Sequence, residues 1–205
     1  GTNDQPKITN GASLNGVIDS RQITEQTDAS VITQTGTINF TDVDTSNELT
    51  LSYLINQNIF TFGSNNTALK SLTADQQAAL ENIFSVNQPS TSNNEASWNI
   101  NASSTALDFI PSGETVTIRY AVQVNDNEGI TTAANGNQLS TSAIRYIQVT
   151  ITGTNDGIAL VNDSKTMFED GTLIGNIFTN DKNDPDIGEM LTIESYSING
   201  TVVPV

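Results

Sequence analysis

The tetrapeptide Gly-Thr-Asn-Asp occupies positions 1–4 and returns at 153–156, and oxygen-bearing residues recur in similar order after each copy. Around the first joint they are Asn3, Asp4, Glu25, Asp42 and Asp44; around the second, Asn155, Asp156, Glu169, Asp170, Asp184 and Asp186. Asp126, in the run Asn125-Asp126-Asn127-Glu128-Gly129, is a further candidate at an end of the fold. Such a set suits a hard cation. Ca²⁺ takes roughly six to eight oxygens from carboxylates, amides, backbone carbonyls and water. Carboxylates pooled without a cation repel one another, and a bound cation removes that penalty. Asn, Asp and Gly are also ordinary turn residues, so an isolated Asp-x-Asp says little. Here Asp42-Val43-Asp44 and Asp184-Pro185-Asp186 each stand beside a repeated joint, and that recurrence favours Ca²⁺. The spacing is not that of an EF-hand, because the Gly and terminal Glu are out of place.

Composition narrows the remaining chemistry. There are 23 acidic and 7 basic residues, a net charge of −16, and neither Cys nor His. Nucleic-acid and anionic-membrane partners are disfavoured, since both need Lys and Arg. Repulsion between copies points to a monomer. Disulfides, thiolate zinc sites and imidazole catalysis are excluded. No apolar run approaches the length of a membrane span. Paired carboxylates could serve glycoside hydrolysis, but Trp98, the one tryptophan, alternates with Ile100 as a core strand residue would. No phosphate loop, nucleophile elbow or Ser-Lys spacing is present. A non-enzyme is expected.

The elements that must position these acids are strands. Val116, Ile118, Tyr120, Val122 and Val124 alternate with Thr115, Thr117, Arg119 and Gln123, the period of a half-buried antiparallel strand. Leu49, Leu51, Tyr53 and Ile55 repeat the pattern, as do Ile147, Val149 and Ile151; Ile38 with Phe40 and Trp98 with Ile100 mark shorter strands. Many short strands with polar turns predict an all-β antiparallel sandwich. One helix is expected over Thr73–Phe84, with a capping box from Thr73 to Gln76 and Leu80, Ile83 and Phe84 as its apolar stripe, lying as a lid on one end of the sandwich. The repeat divides the chain into a sandwich at 1–154 and the opening part of a second at 155–205, too short to close a core alone. Such a tail lies open, borrows strands, or belongs to a domain whose remainder lies elsewhere.

Several motifs resemble a known family. The run 36–44, Gly-Thr-Ile-Asn-Phe-Thr-Asp-Val-Asp, resembles the opening of the bacterial VCBS repeat. Leu72–Leu80, Trp98-Asn99-Ile100, Ala106–Ile110, Gly113–Thr117 and the closing Val149–Asp156 are similar to later parts of it, in order. The tail resembles the start of related cadherin-like tandem domains, with Phe168-Glu169-Asp170-Gly171 and Asn180-Asp181 as landmarks. It departs from the pattern at the second joint, where Gly157-Ile158 stands in place of a proline such as Pro6. The resemblance implies an Ig-like or cadherin-like sandwich from a long RTX-type biofilm adhesin, exported by type I secretion and displayed on a bacterial surface. Its partners would be neighbouring repeats of the same chain, stiffened by Ca²⁺, with glycan or peptide ligands held by distal domains. An alternative is direct glycan or peptide binding through the helix and the loops 63–67 and 88–95, or a domain split by an inserted ligand-binding domain.

Overall fold

The computed structural model describes residues 3–27, 30–44, 48–63, 72–87, 94–128, 140–182, 184–198 and 200–205. Gly1 and Thr2 of the first joint, and most of the expected loops 63–67, 88–95 and 125–141, lie outside the described residues.

Two sheets enclose one core. The first orders β1 (Lys7–Ile8), β3 (Val31–Thr41), β7 (Glu95–Ser103) and β6 (Phe84–Asn87). The second orders β2 (Val17–Thr24), β9 (Arg145–Thr152), β8 (Thr115–Asn125) and β4 (Thr50–Tyr53), with β5 (Ile59–Phe62) also on β8. The fold is an all-β sandwich, as the alternation predicts, with one short α-helix among the described residues. Val116, Ile118, Tyr120, Val122 and Val124 of β8 face Ile38, Trp98 and Ile100 of the other sheet within a single buried cluster. Burying each such side chain contributes about 1.5–3 kcal/mol. Trp98 is fully buried, stacks near Phe84, and lies so close over Gly36 that a Cβ there would fall 2.5 Å from the indole. It is a core residue.

Two expectations need correction. Ile55 does not extend β4: the chain turns at Leu54, whose N–H donates to the Ala121 carbonyl, and Ile55 starts an exposed 3-10 turn. The sandwich is also not purely antiparallel. β2 runs parallel to β9, from Val17 opposite Tyr146 to Thr24 opposite Thr152.

The helix α1 spans Ala74–Asn82, and both halves of its capping box form: Gln76 N–H to Thr73 Oγ1 at 3.2 Å, and Thr73 N–H to Gln76 Oε1 at 2.8 Å. It ends two residues early because Ile83 caps it and Phe84 pairs with Ile100 as the first residue of β6. Its last carbonyls would otherwise be orphans. Tyr120 donates to Leu80 O at 2.7 Å and Tyr53 to Glu81 O at 3.4 Å, tying the helix to the second sheet.

Beyond Ile151 no described apolar side chain is buried. Among the described residues after Thr154 there are a hairpin, β10 (Ser195–Ile198) with β11 (Thr201–Pro204), and an isolated bridge, Ala159 to Lys182. Leu160, Phe168, Ile174, Met190 and Val202 are exposed.

Candidate metal centre

The parallel pairing of β2 with β9 decides where the acids meet. Parallel strands end on the same side, so the residues following β2 and β9 emerge together. Glu25 N–H donates to Thr152 O at 2.9 Å, and Thr154 N–H donates to Glu25 Oε2 at 3.1 Å. Glu25 thus belongs to the second joint rather than to the first, where its sequence position groups it. Antiparallel pairing would have sent the two ends to opposite ends of the sheet.

At this joint Glu25, Asp108 and Asp156 each place a carboxylate oxygen within 4.8 Å of the others. Asp108 stands on the loop between β7 and β8. That loop also holds the joint closed: Gly153 N–H donates to Glu114 O, and Gly113 N–H donates to Gly153 O. A Cβ on Gly153 would lie 1.9 Å from the Ile110 carbonyl oxygen, so the first residue of the repeated tetrapeptide must be glycine here. A second trio, Asp184, Asp186 and Glu189, meets the same distance limit. The tail loop carrying it docks on the sandwich through Ile187, whose N–H reaches Phe109 O at 3.3 Å and whose side chain packs on the core.

The electrostatics fit a cation. Glu25 and Asp186 are almost fully buried. Burial and the neighbouring Asp156, Asp108 and Asp186 push the Glu25 carboxyl up to about 7, against the opposing hydrogen bond from Thr154. Burial, with Asp156, Glu189 and Asp184, raises Asp186 to about 6 against the hydrogen bond from Asp156. Asp156 and Asp108 are raised too, chiefly by burial. Glu25 Oε1, Asp156 Oδ2 and Asp186 Oδ1 are buried without a hydrogen-bond partner. Leaving such oxygens unpaired is costly. Among the described residues the one salt bridge joins Arg21 to Asp19, so no Lys or Arg is ion-paired with these acids. Carboxylate oxygens grouped this way could hold a hard cation, which is bound by oxygen ligands.

The first joint repeats part of this wiring at the other end of β8, roughly 35 Å away along the strand. Asp4 N–H donates to Asp44 Oδ2 at 2.7 Å, and Asp44 N–H donates to Asp42 Oδ1 at 3.0 Å. At the second joint Asp156 N–H donates to Asp186 Oδ2 at 3.2 Å, and Asp186 N–H donates to Asp184 Oδ1 at 3.0 Å. The sequence repeat is thus a repeat of hydrogen bonds. Asp126 joins the first set, accepting from Asn3 Nδ2 at 2.8 Å, and Asp42 Oδ2 is buried without a partner.

Three candidates stand apart. Glu169 and Asp170 sit exposed in a turn, with Asp170 at φ +65°, and neither belongs to the acidic trios. Asn155 is exposed and donates to the carbonyl of Asp156. Conversely, Asp108 and Glu189 belong to the acidic trios, and sequence spacing does not single them out as ligands. Asp108 lies far from either repeated motif in sequence. The signal for Glu189 is its place three residues after Asp186, past Gly188, whose φ of +92° turns the loop.

No protein-family model matches the chain, and no curated protein sequence matches it. Among solved structures it is similar to AggA, the major subunit of aggregative adherence fimbriae type I from Escherichia coli. The identity is 10%, the match covers 74% of this chain and 98% of that one, and the TM-score is 0.36, too shallow a likeness to carry a functional argument.

Proposed function

We propose that the chain is a structural module of a bacterial surface adhesin, in which Ca²⁺ locks the sandwich to the segment that follows it. The observation that carries this reading is the buried Glu25, delivered by a parallel strand to Asp108 and Asp156 with one carboxylate oxygen left without a protein partner. Glu25 and Asp108 belong to the sandwich, Asp156 and Asp186 to the segment after it. Without a cation these acids repel and the joint loosens; with one, oxygens from both sides converge on shared charge. The two joints lie at opposite ends of β8, which suits tandem stacking into a stalk that carries distal glycan- or peptide-binding domains away from an extracellular surface. Such a module works by stiffness and needs no catalytic group.

Cation binding to the folded joint stabilises it by mass action. Thermal unfolding followed by circular dichroism, in calcium and in chelator, tests this reading. Saturation about a hundredfold above Kd adds about 2.7 kcal/mol per independent site, and the melting temperature rises by several degrees. Equal melting temperatures in the two conditions would remove the calcium role.

A further inference from the structure

We propose that β2 and β9 form a mechanical clamp, latched by Arg21, that carries tension through the sandwich. The stalk reading above supplies only the points where load enters, before Asp4 and after Asp156. The clamp itself follows from strand direction and register.

The first strand of the fold is split between the sheets. β1 leaves the first joint paired with β3 through Lys7 opposite Thr41 and Ile8 opposite Phe40. The Asn10 side chain extends that contact, accepting from Asn39 N–H at 2.6 Å and donating to Thr37 O at 3.1 Å. The chain then turns at Gly16, with φ +75°, and continues in the second sheet as β2. Because β2 and β9 run in the same direction, tension pulls β2 from its start at Val17 and β9 from its end at Thr152. The two pulls are opposed and lie along the strands. The seven register pairs from Val17–Tyr146 to Thr24–Thr152 are therefore loaded together, in shear. An antiparallel pair would meet both loads at one end and open one bond at a time. β9 is held on its other side by eight register pairs to β8, whereas β2 has no second strand partner among the described residues. β1 brings only two pairs. The β2–β9 pair thus sets the load at which the sandwich yields.

Arg21 ties the middle of β2 to the opposite sheet. Its guanidinium carbon lies 5.3 Å from the centre of the Trp98 ring, and Nη2 donates to Thr35 O at 3.5 Å. Asp19, on the same strand, holds the guanidinium by an ion pair. Trp98 is fully buried and cannot follow, so β2 slides along β9 only by dragging this cation off the ring. Backbone pairing and the latch therefore resist the same displacement.

Single-molecule force spectroscopy on the whole chain tests the clamp. It is run in chelator, so that its outcome is separate from the calcium reading. The chain has no Cys, so engineered cysteines give unique handles. Leu14→Cys with Gly157→Cys loads β2 and β9 in shear; Leu14→Cys with Ala143→Cys parts the same strands from their first pair. All three positions are exposed. The expected unfolding force is severalfold higher for the shear handles at equal loading rate, and Arg21→Met lowers it. Arg21→Lys, which keeps the charge but loses the planar fork, takes its place if Arg21→Met does not fold. Equal forces in the two geometries would overturn the clamp and leave the calcium-bridged joint in place. A shear force that the Arg21 variant leaves unchanged would overturn the latch.

Discussion

Glu25 bears most of the account at the residue scale. Its acid is held at about 7, above the ordinary 4.5, so between those values the folded joint binds a proton that the unfolded chain releases. Stability in chelator is therefore fullest below about pH 4.5 and falls as pH rises to about 7. Asp186, raised to about 6, adds to the same slope. Glu25→Gln supplies a neutral side chain of the same shape, so it flattens part of this slope and raises the melting temperature of the chelated protein near pH 7. In calcium the same substitution lowers the melting temperature, because it removes a ligand. Melting curves from pH 4 to 8, with and without calcium, check the crossing of sign. A variant less stable than wild type in both conditions would reduce Glu25 to an ordinary packing residue.

At the element scale, strands with clean alternation are legible in the sequence. β8 and β9 follow period-two alternation, and the capping box marks the start of α1 from Thr73 and Gln76 alone. The β2 strand is not legible, because Val-Ile-Asp-Ser-Arg-Gln-Ile-Thr has no sustained alternation; its parallel partner lies over a hundred residues away. Without β2 in view, Glu25 groups with the wrong joint. Asp108 is hidden as a ligand for a similar reason, since only the tertiary fold brings the β7–β8 loop to the joint. The helix gives a separate prediction. Tyr120 donates a 2.7 Å bond to the buried Leu80 carbonyl. Tyr120→Phe should cost about 1–3 kcal/mol, the penalty for an unsatisfied buried acceptor. Thr73→Ala at the solvent-facing cap should cost about 1 kcal/mol. Urea denaturation of the two variants checks that order.

For the whole molecule, the hydrogen bonds shared by the two joints turn a repeated tetrapeptide into a repeated mechanical part. At the second joint its Gly is dictated by the Ile110 carbonyl, and at both joints the backbone N–H of its Asp is held by the Asp-x-Asp that follows. After Ile151 the described apolar side chains stay outside the core, and the acidic joint and Ile187 are among the contacts that tie this segment to the sandwich. Stiffness at that joint is the central claim. Small-angle X-ray scattering of the whole chain in calcium and in chelator measures it most directly. The account predicts that chelation increases the radius of gyration and broadens the distance distribution, and that Glu25→Gln in calcium moves toward the chelated profile. Superimposable profiles in calcium and chelator would contradict it.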